Sequence, residues 1–220
     1  MHLHDRFAEF LSASEIIEAT PALLNDQRRR FVSSPDIVLQ PNSVESVQKI
    51  MRFCFENRIR VTPQGGNTGL CGATVTTEGV LLNLSKLNRI RDINLADNSM
   101  TVEAGVILQN AQKAAAEAGR LFPLSLASEG SCQIGGNIAC NAGGLNVLRY
   151  GSMRDLILGL EVVLPNGELV SHLQPLHKNT TGYDLRHLFI GSEGTLGIIT
   201  AATLKLFAQP KTKATAWVGL

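Results

Sequence analysis

The apolar positions of this chain repeat with two different periods, and the changes between them divide it into elements. Val44, Val47, Ile50, Met51, Cys54 and Phe55 recur at helical spacing as far as Asn57. That spacing predicts a helix, with Asn42 or Ser43 available as its N-cap. β-rich runs stand around it: Asp36-Ile37-Val38-Leu39-Gln40 stopped by Pro41, then Arg60-Val61-Thr62-Pro63, then Gly79-Val80-Leu81-Leu82-Asn83-Leu84. Strand, helix and strand make a βαβ-like unit, whose ligand loop belongs at a strand's carboxyl end. Residues 90–94 and 100–103 predict a hairpin across Leu95-Ala96-Asp97-Asn98-Ser99. An alanine-rich helix over 106–118, closed by Gly119, follows it.

The flanks are less regular. Residues 7–31 read as an amphipathic helical arm ending in Arg28-Arg29-Arg30, a solvated helix end or turn. Residues 120–151 are dominated by small side chains with no clear period, and a structureless stretch of that length implies function. β-rich segments over 159–164 and 168–171 flank the hairpin turn Pro165-Asn166-Gly167, and a last long strand is expected through Phe207. Residues 214–220 start like a further strand, so the chain reads as cut rather than finished. Strands and helices mixed in this way give an α+β fold.

Composition narrows the function classes. At 220 residues, 44% hydrophobic and 18% charged, the chain buries a sizeable core. A formal net charge of +1 argues against a nucleic-acid binder, and 5% aromatics against a stacking platform for single strands. No apolar run approaches a membrane span, and the first residues lack the profile of a secretory signal; a cytoplasmic protein is expected. Cys54, Cys71, Cys132 and Cys140 have no metal-finger spacing and read as reduced, small apolar residues.

The chemistry lies in two loops that carry neither Lys nor Arg. They are Gln64-Gly65-Gly66-Asn67-Thr68-Gly69-Leu70-Cys71-Gly72 and Ser131-Cys132-Gln133-Ile134-Gly135-Gly136-Asn137-Ile138-Ala139-Cys140-Asn141-Ala142-Gly143-Gly144. Glycine lets backbone approach a ligand closely, and successive N–H groups can then converge on an anion. Two such loops suit a long ligand with a phosphate centre, such as a dinucleotide. Neither GxGxxG opening a helix nor GxxxxGK[ST] is present, which sets aside Rossmann and P-loop chemistry.

The loops, followed by Gly182-Tyr183-Asp184-Leu185 and Gly191-Ser192-Glu193-Gly194-Thr195-Leu196-Gly197-Ile198-Ile199-Thr200, stand in an order that resembles the FAD-binding (PCMH-type) domain of the vanillyl-alcohol oxidase flavoprotein superfamily. The resemblance covers residues 37–207. Asn146-Val147-Leu148-Arg149-Tyr150-Gly151 and Asn179-Thr180-Thr181-Gly182-Tyr183-Asp184-Leu185 are most similar to the D-2-hydroxyglutarate and D-lactate dehydrogenase branch, with the glycolate oxidase flavin subunit close by.

That resemblance implies a two-lobed fold with FAD between the lobes. The expected division is a helical arm over 1–35, a small βαβ lobe over 36–105, a larger α+β lobe over 106–207, and the start of a C-terminal cap region over 208–220. It implies that Gln64, Gly65, Gly66, Asn67, Thr68, Gly69, Leu70 and Gly72 wrap the pyrophosphate, with side-chain bonds from Asn67 and Thr68. Ser131, Ile134, Gly135, Gly136, Asn137, Cys140, Asn141 and Ala142 would follow the pyrophosphate and ribityl chain. Gly194, Gly197 and Ile199 would lie near the adenine or the polar edge of the flavin. The first loop holds no histidine, so FAD is expected to be non-covalent; Cys71 is a conceivable attachment point, with packing as its plainer role.

The implied activity is oxidation of a small-molecule 2-hydroxy acid, with hydride passing from C2 to flavin N5; the electron acceptor stays open. The family's base, substrate arginine and metal ligands lie in the cap beyond residue 220, so no catalytic residue and no metal ligand is assigned, and the chain alone is expected to be inactive. Two alternatives stand beside this: a non-catalytic FAD-binding subunit, and an NADPH-dependent reductase of an enolpyruvyl sugar nucleotide. His2, His4, His172, His177 and His187 read as solvated or structural, and Arg149 and Lys178 as surface charges.

Overall fold

The computed structural model describes residues 2–212 and 214–219. The chain begins with α1 (Leu3–Ala8), β1 (Ile16–Ile17) and α2 (Pro21–Leu24), followed by β2 (Ile37–Leu39), α3 (Val44–Glu56), β3 (Val61–Gln64) and β4 (Val80–Asn83). The hairpin β5 (Ile90–Asn94) and β6 (Ser99–Glu103) leads to α4 (Leu108–Glu117), β7 (Arg120–Leu121), α5 (Ile134–Ala139) and α6 (Val147–Tyr150). The last elements are β8 (Ile157–Val163), β9 (Leu169–His172), α7 (Arg186–Phe189), β10 (Ile198–Lys205) and β11 (Phe207–Ala208).

Two principal sheets form. In the first, ordered β1-β2-β4-β3, β2 and β3 both run parallel to β4, which lies between them, and β1 closes one edge antiparallel. Ser43 caps α3 by accepting the N–H of Ser46 at 3.1 Å. Val47, Ile50, Met51 and Cys54, spaced as one face of that helix, are buried in the core against Leu39 and Leu82. Each such side chain withdrawn from water contributes roughly 1.5–3 kcal/mol.

The second sheet, ordered β5-β6-β10-β8-β9, is antiparallel throughout. Its central strand β10 is buried from Ile198 to Leu204, which is why that segment reads as a nearly unbroken apolar run. Leu108, Ala111 and Ala115 of α4 and Ile134 and Ile138 of α5 share a core with Met100, Val102 and Ile199. Val163 and Ile198, at adjoining ends of β8 and β10, belong to the first core instead. The two halves are therefore packed against each other, and Gln48 of α3 adds a bond from its Nε2 to the carbonyl of Gly167 at 3.1 Å.

Several expectations change. The arm is not one helix. Ser12 and Glu15 form a capping box around a short 3₁₀ turn, and the buried Glu15 carboxylate also accepts the N–H of Asn42 at 3.2 Å. Burial pushes the Glu15 pKa up, but the bonds from Ser46, Ser12 and Asn42 outweigh it and leave it lowered. Ile16 and Ile17 then pair with Leu39 and Val38, so a sheet edge overrides the local helical period. Asp26 accepts the N–H groups of Arg28, Arg30 and Phe31, placing the three arginines in a turn.

The hairpin of β5 and β6, assigned to the small lobe from its position in the chain, is hydrogen-bonded into the second sheet. Residues 120–151 contain α5 and α6 rather than a bare loop. The last long strand, β10, ends at Lys205 rather than Phe207, and β11 turns away to pair with β7. Residues 214–219 form no strand; Lys213 and Leu220 lie outside the described residues.

Candidate cofactor site

A cleft of about 620 Å³, open to solvent, runs between the carboxyl end of β3 and the segment joining α5 to β10. Gln64 and Gly65 line one side; Gly135, Gly136 and Cys140 line another; Gly194, Gly197 and Ile199 complete it. These eight residues come from three separate stretches of chain, and all were singled out from sequence.

Close backbone approaches hold the stretches together. A Cβ on Gly66 would overlap the carbonyl oxygen of Ser131, so only glycine lets the two loops cross there. The Gly135 N–H donates to the Ala104 carbonyl at 2.7 Å, and a Cβ on Gly135 would stand 2.7 Å from that of Ala104. The N–H groups of Gly191 and Glu193 donate to Ile138 and Ala139 at 3.1 and 3.0 Å, docking the third stretch on the end of α5. Gly194 has φ +80° and lies against the Pro63 ring, a conformation that L side chains rarely adopt.

The remaining sequence-predicted residues lie outside the lining. Thr68, Gly69, Leu70 and Gly72 form the outer limb of the first loop, with Leu70 exposed. Asn67 has φ +51°, and its amide is committed: Nδ2 donates to the carbonyls of Ala22 and Asn25 at 3.1 and 2.7 Å, while Oδ1 accepts the Thr74 hydroxyl at 2.8 Å. Its side chain ties the arm to the loop, and both ends of the amide are already bonded within the chain. Gln64 is likewise occupied, its Nε2 donating to Leu23 and its Oε1 accepting from Asn83. Ile134 and Asn137 are buried and Ser131 is exposed, while Asn141 accepts the Arg154 N–H at 2.9 Å, with Ala142 beside it. Pro63, Ala73, Thr74, Leu84, Ala104 and Glu193 line the cleft without having been anticipated. Thr74 and Ala73 simply continue the first loop, whereas Ala104 carries no signal in one sequence and is brought there by the second sheet.

The available hydrogen-bonding groups suit an anion. Among the described residues, no backbone N–H from 65 to 74 meets an acceptor within the chain, and the same holds for Gly136 and Gly194. No Lys or Arg lines the cleft, and Glu193 is its one charged lining residue. The Cys140 thiol is pushed up by burial, then by Glu193 and Cys71, so it stays protonated and is a poor nucleophile. Burial pushes the Cys54 thiol to about 12.

Histidines stand elsewhere. His187 is held between Arg154 at 2.9 Å and Asp184 at 3.2 Å, and His177 approaches the Asp97 carbonyl at 2.5 Å. Among the described residues, no group of His, Cys, Asp or Glu is placed to hold a metal, and no helix is long and apolar enough to cross a membrane.

Two packed sheets with a glycine-lined cleft at their junction, rich in unpaired backbone donors, define a protein that binds a phosphate-bearing cofactor. Residues 35–172 match the family described as "FAD binding domain", and the chain belongs to that family. It is 41% identical over 211 residues to a D-2-hydroxyglutarate–pyruvate transhydrogenase of Saccharomyces cerevisiae, covering 93% of this chain and 42% of that protein. It is 47% identical over 186 residues to a D-2-hydroxyglutarate dehydrogenase of Xanthomonas citri, covering 84% and 39%. A mitochondrial D-2-hydroxyglutarate dehydrogenase of Danio rerio shares 45% over 195 residues, covering 88% and 37%. The chain thus spans about two fifths of the length of these relatives. Among solved structures, alkyldihydroxyacetonephosphate synthase superposes with a TM-score of 0.82 at 20% identity, over 95% of this chain and 39% of that one. 6-Hydroxy-D-nicotine oxidase of Arthrobacter nicotinovorans gives 0.77 at 23%, over 90% and 43%, and both establish a shared fold.

Proposed function

We propose that the cleft holds FAD non-covalently and that the chain is the cofactor-binding part of a flavin-dependent D-2-hydroxyacid dehydrogenase. The observation that carries this is the row of unpaired N–H groups over residues 65–74, at the mouth of a cleft lined by five glycines. Each backbone bond to a phosphate oxygen contributes roughly 1.5–3 kcal/mol, so a basic side chain is unnecessary. The Glu193 carboxylate favours placing the phosphates on the first-loop side, away from the end of α5. Gly66, Thr68, Gly69, Leu70 and Gly72 would offer main-chain donors there. Gly135, Gly136 and Cys140 would border the ribityl chain, and Gly194, Gly197 and Ile199 a ring system. The division into an arm, two lobes and the start of a cap is part of the same proposal, with β5 and β6 counted in the second lobe.

FAD, when bound, supplies a two-electron acceptor at its N5 atom. What this chain contributes is position: backbone donors orient the phosphates, and the apolar lining excludes water from the reacting edge. The substrate class, a D-2-hydroxy acid such as 2-hydroxyglutarate, is taken from the relatives named above, about two fifths of whose length is matched. The catalytic groups are proposed to lie outside these 220 residues, so this chain alone would bind FAD without turnover. A cytoplasmic setting is the further part of the proposal, although the relative from Danio rerio is named mitochondrial; fractionation of cells tests it.

The absorption spectrum of the purified protein tests the central reading. Flavin bands, retained on gel filtration and released by denaturation, are expected; none after addition of FAD would refute it. In the full-length protein D-2-hydroxyglutarate, but not NADPH, should bleach those bands. A bound flavin that no 2-hydroxy acid bleaches would favour a non-catalytic FAD-binding subunit.

A further inference from the structure

We propose that the side chain of Gln133 is a contact for the bound cofactor, its amide pairing with a polar group of that ligand. The proposal rests on the FAD reading above. Gln133 is 7% exposed, and its Oε1 is the one buried side-chain polar atom among the described residues that has no partner. Its neighbours are all satisfied: Gln64 by Leu23 and Asn83, Asn137 by Cys132, Asn83 by Gln40. A single orphan amid paired groups calls for a specific partner, because a buried acceptor left unpaired destabilises the protein that contains it.

Gln133 does not line the cleft itself but stands directly behind residues that do. It immediately precedes α5, two residues before Gly135, and its Oε1 lies 3.3 Å from the point a Cβ on Gly65 would reach. Gly65 and Gly135 both line the cleft, so the amide is at the seam between the two glycine loops. Neither end of this amide is bonded within the chain, so it can turn to offer its oxygen to a hydroxyl or ring N–H group, or its Nε2 to a phosphate oxygen. Either partner satisfies the orphan.

Gln133→Met, close in length and without polar atoms, tests this in the full chain. Two effects of opposite sign are expected. The ligand-free variant should melt at a higher temperature than wild type, since the orphan is gone, while its Kd for FAD, read by flavin fluorescence, should be about tenfold weaker. Riboflavin, ADP and inorganic pyrophosphate as competitors then locate the contact, since only the fragment that carries the partner should bind more weakly. An unchanged Kd for FAD overturns the assignment. Should Gln133→Met not fold, Gln133→Asn, which withdraws the amide by one methylene, is read for the same weakening. If wild type itself takes up no FAD, the reading of the cleft fails; if wild type binds and Gln133→Met binds equally, only the role of Gln133 fails.

Discussion

In the first glycine loop Gly65-Gly66-Asn67 leaves β3 with its backbone donors uncommitted, whereas in the second the same triplet, Gly135-Gly136-Asn137, is wound into α5. Asn67 is in the left-handed region and uses its side chain to hold the arm; Asn137 is helical, 6% exposed and bonded to the Cys132 sulfur at 3.5 Å. Gly66 is glycine because a carbonyl lies against it, Gly135 because β6 ends beneath it, and Gly136 has open space where a Cβ would be. An identical triplet therefore does three separate jobs. Close approach of other segments explains two of the four glycines, Gly66 and Gly135, whereas Gly136 stands open at the cleft.

The largest test of that contrast is Gly66→Val. Its side chain would overlap the Ser131 carbonyl, so the loss is expected to be about 3 kcal/mol and to remove FAD binding with it. Gly69→Ala, which meets nothing within 4 Å, serves as its control and should leave unfolding by denaturant nearly unchanged. Equal stability of Gly66→Val and wild type would show that the loops do not cross as described.

Asn67→Ala comes next. It deletes three side-chain bonds and strains a residue at φ +51°, so about 2 kcal/mol should be lost. Proteolysis between residues 12 and 30 should accelerate as the arm loosens. Unaltered cleavage there would mean that the arm is held by Phe7 and its packing on Phe53 alone.

Glu103→Gln tests the support beneath the second loop. Glu103, 1% exposed, accepts from Arg89 Nη2 at 2.8 Å and Arg91 Nε at 3.3 Å, and Arg91 continues to Glu161 at 3.0 Å. Burial pushes the Glu103 pKa up, but the Arg89 bonds outweigh it and the carboxyl stays below its ordinary value of 4.5. A lowered folded-state pKa stabilises above the unfolded value, and that stability disappears as pH falls through the folded one. Wild type should therefore lose stability below about pH 4.5 more steeply than Glu103→Gln. At pH 7 the variant should be about 1–2 kcal/mol less stable, reduced from a fully buried pair because Arg89 is largely solvated. Parallel acid limbs for the two proteins would remove Glu103 from the account.

The smallest effect carries the sharpest sign. Gly136→Ala lies in a helix with room for its methyl, so the ligand-free protein should gain about 0.5–1 kcal/mol. The same methyl projects where the cleft is open, so FAD binding should weaken. A gain in both would place the cofactor elsewhere.

Much of this was legible along the chain. The α3 period, its Ser43 cap and the three strands around it appear where their side-chain pattern puts them, because each is decided within a few residues. Eight of the residues assigned to the cofactor line one cleft, since glycine-rich stretches without charge have few other uses. Less accessible was anything set by a distant partner. Ile16 and Ile17 become strand only because Leu39 and Val38 are there to pair with. The β5–β6 hairpin follows the first lobe in sequence, yet its free edge is satisfied by β10 about a hundred residues later. The partners of the Asn67 amide, Ala22 and Asn25, were likewise set by the arm folding across it.

The sequence by itself determined that two charge-free glycine loops must let backbone come close to something, because glycine's missing Cβ is a local property. Only the tertiary structure decided what comes close to each: a carbonyl at Gly66, a strand end at Gly135, open cleft at Gly136. It also decided that Gln133, unremarked within its loop, would be buried at the seam without a partner. Burial and hydrogen-bond pairing depend on which segments meet, and in this chain the segments that meet at the cleft are separated by many tens of residues.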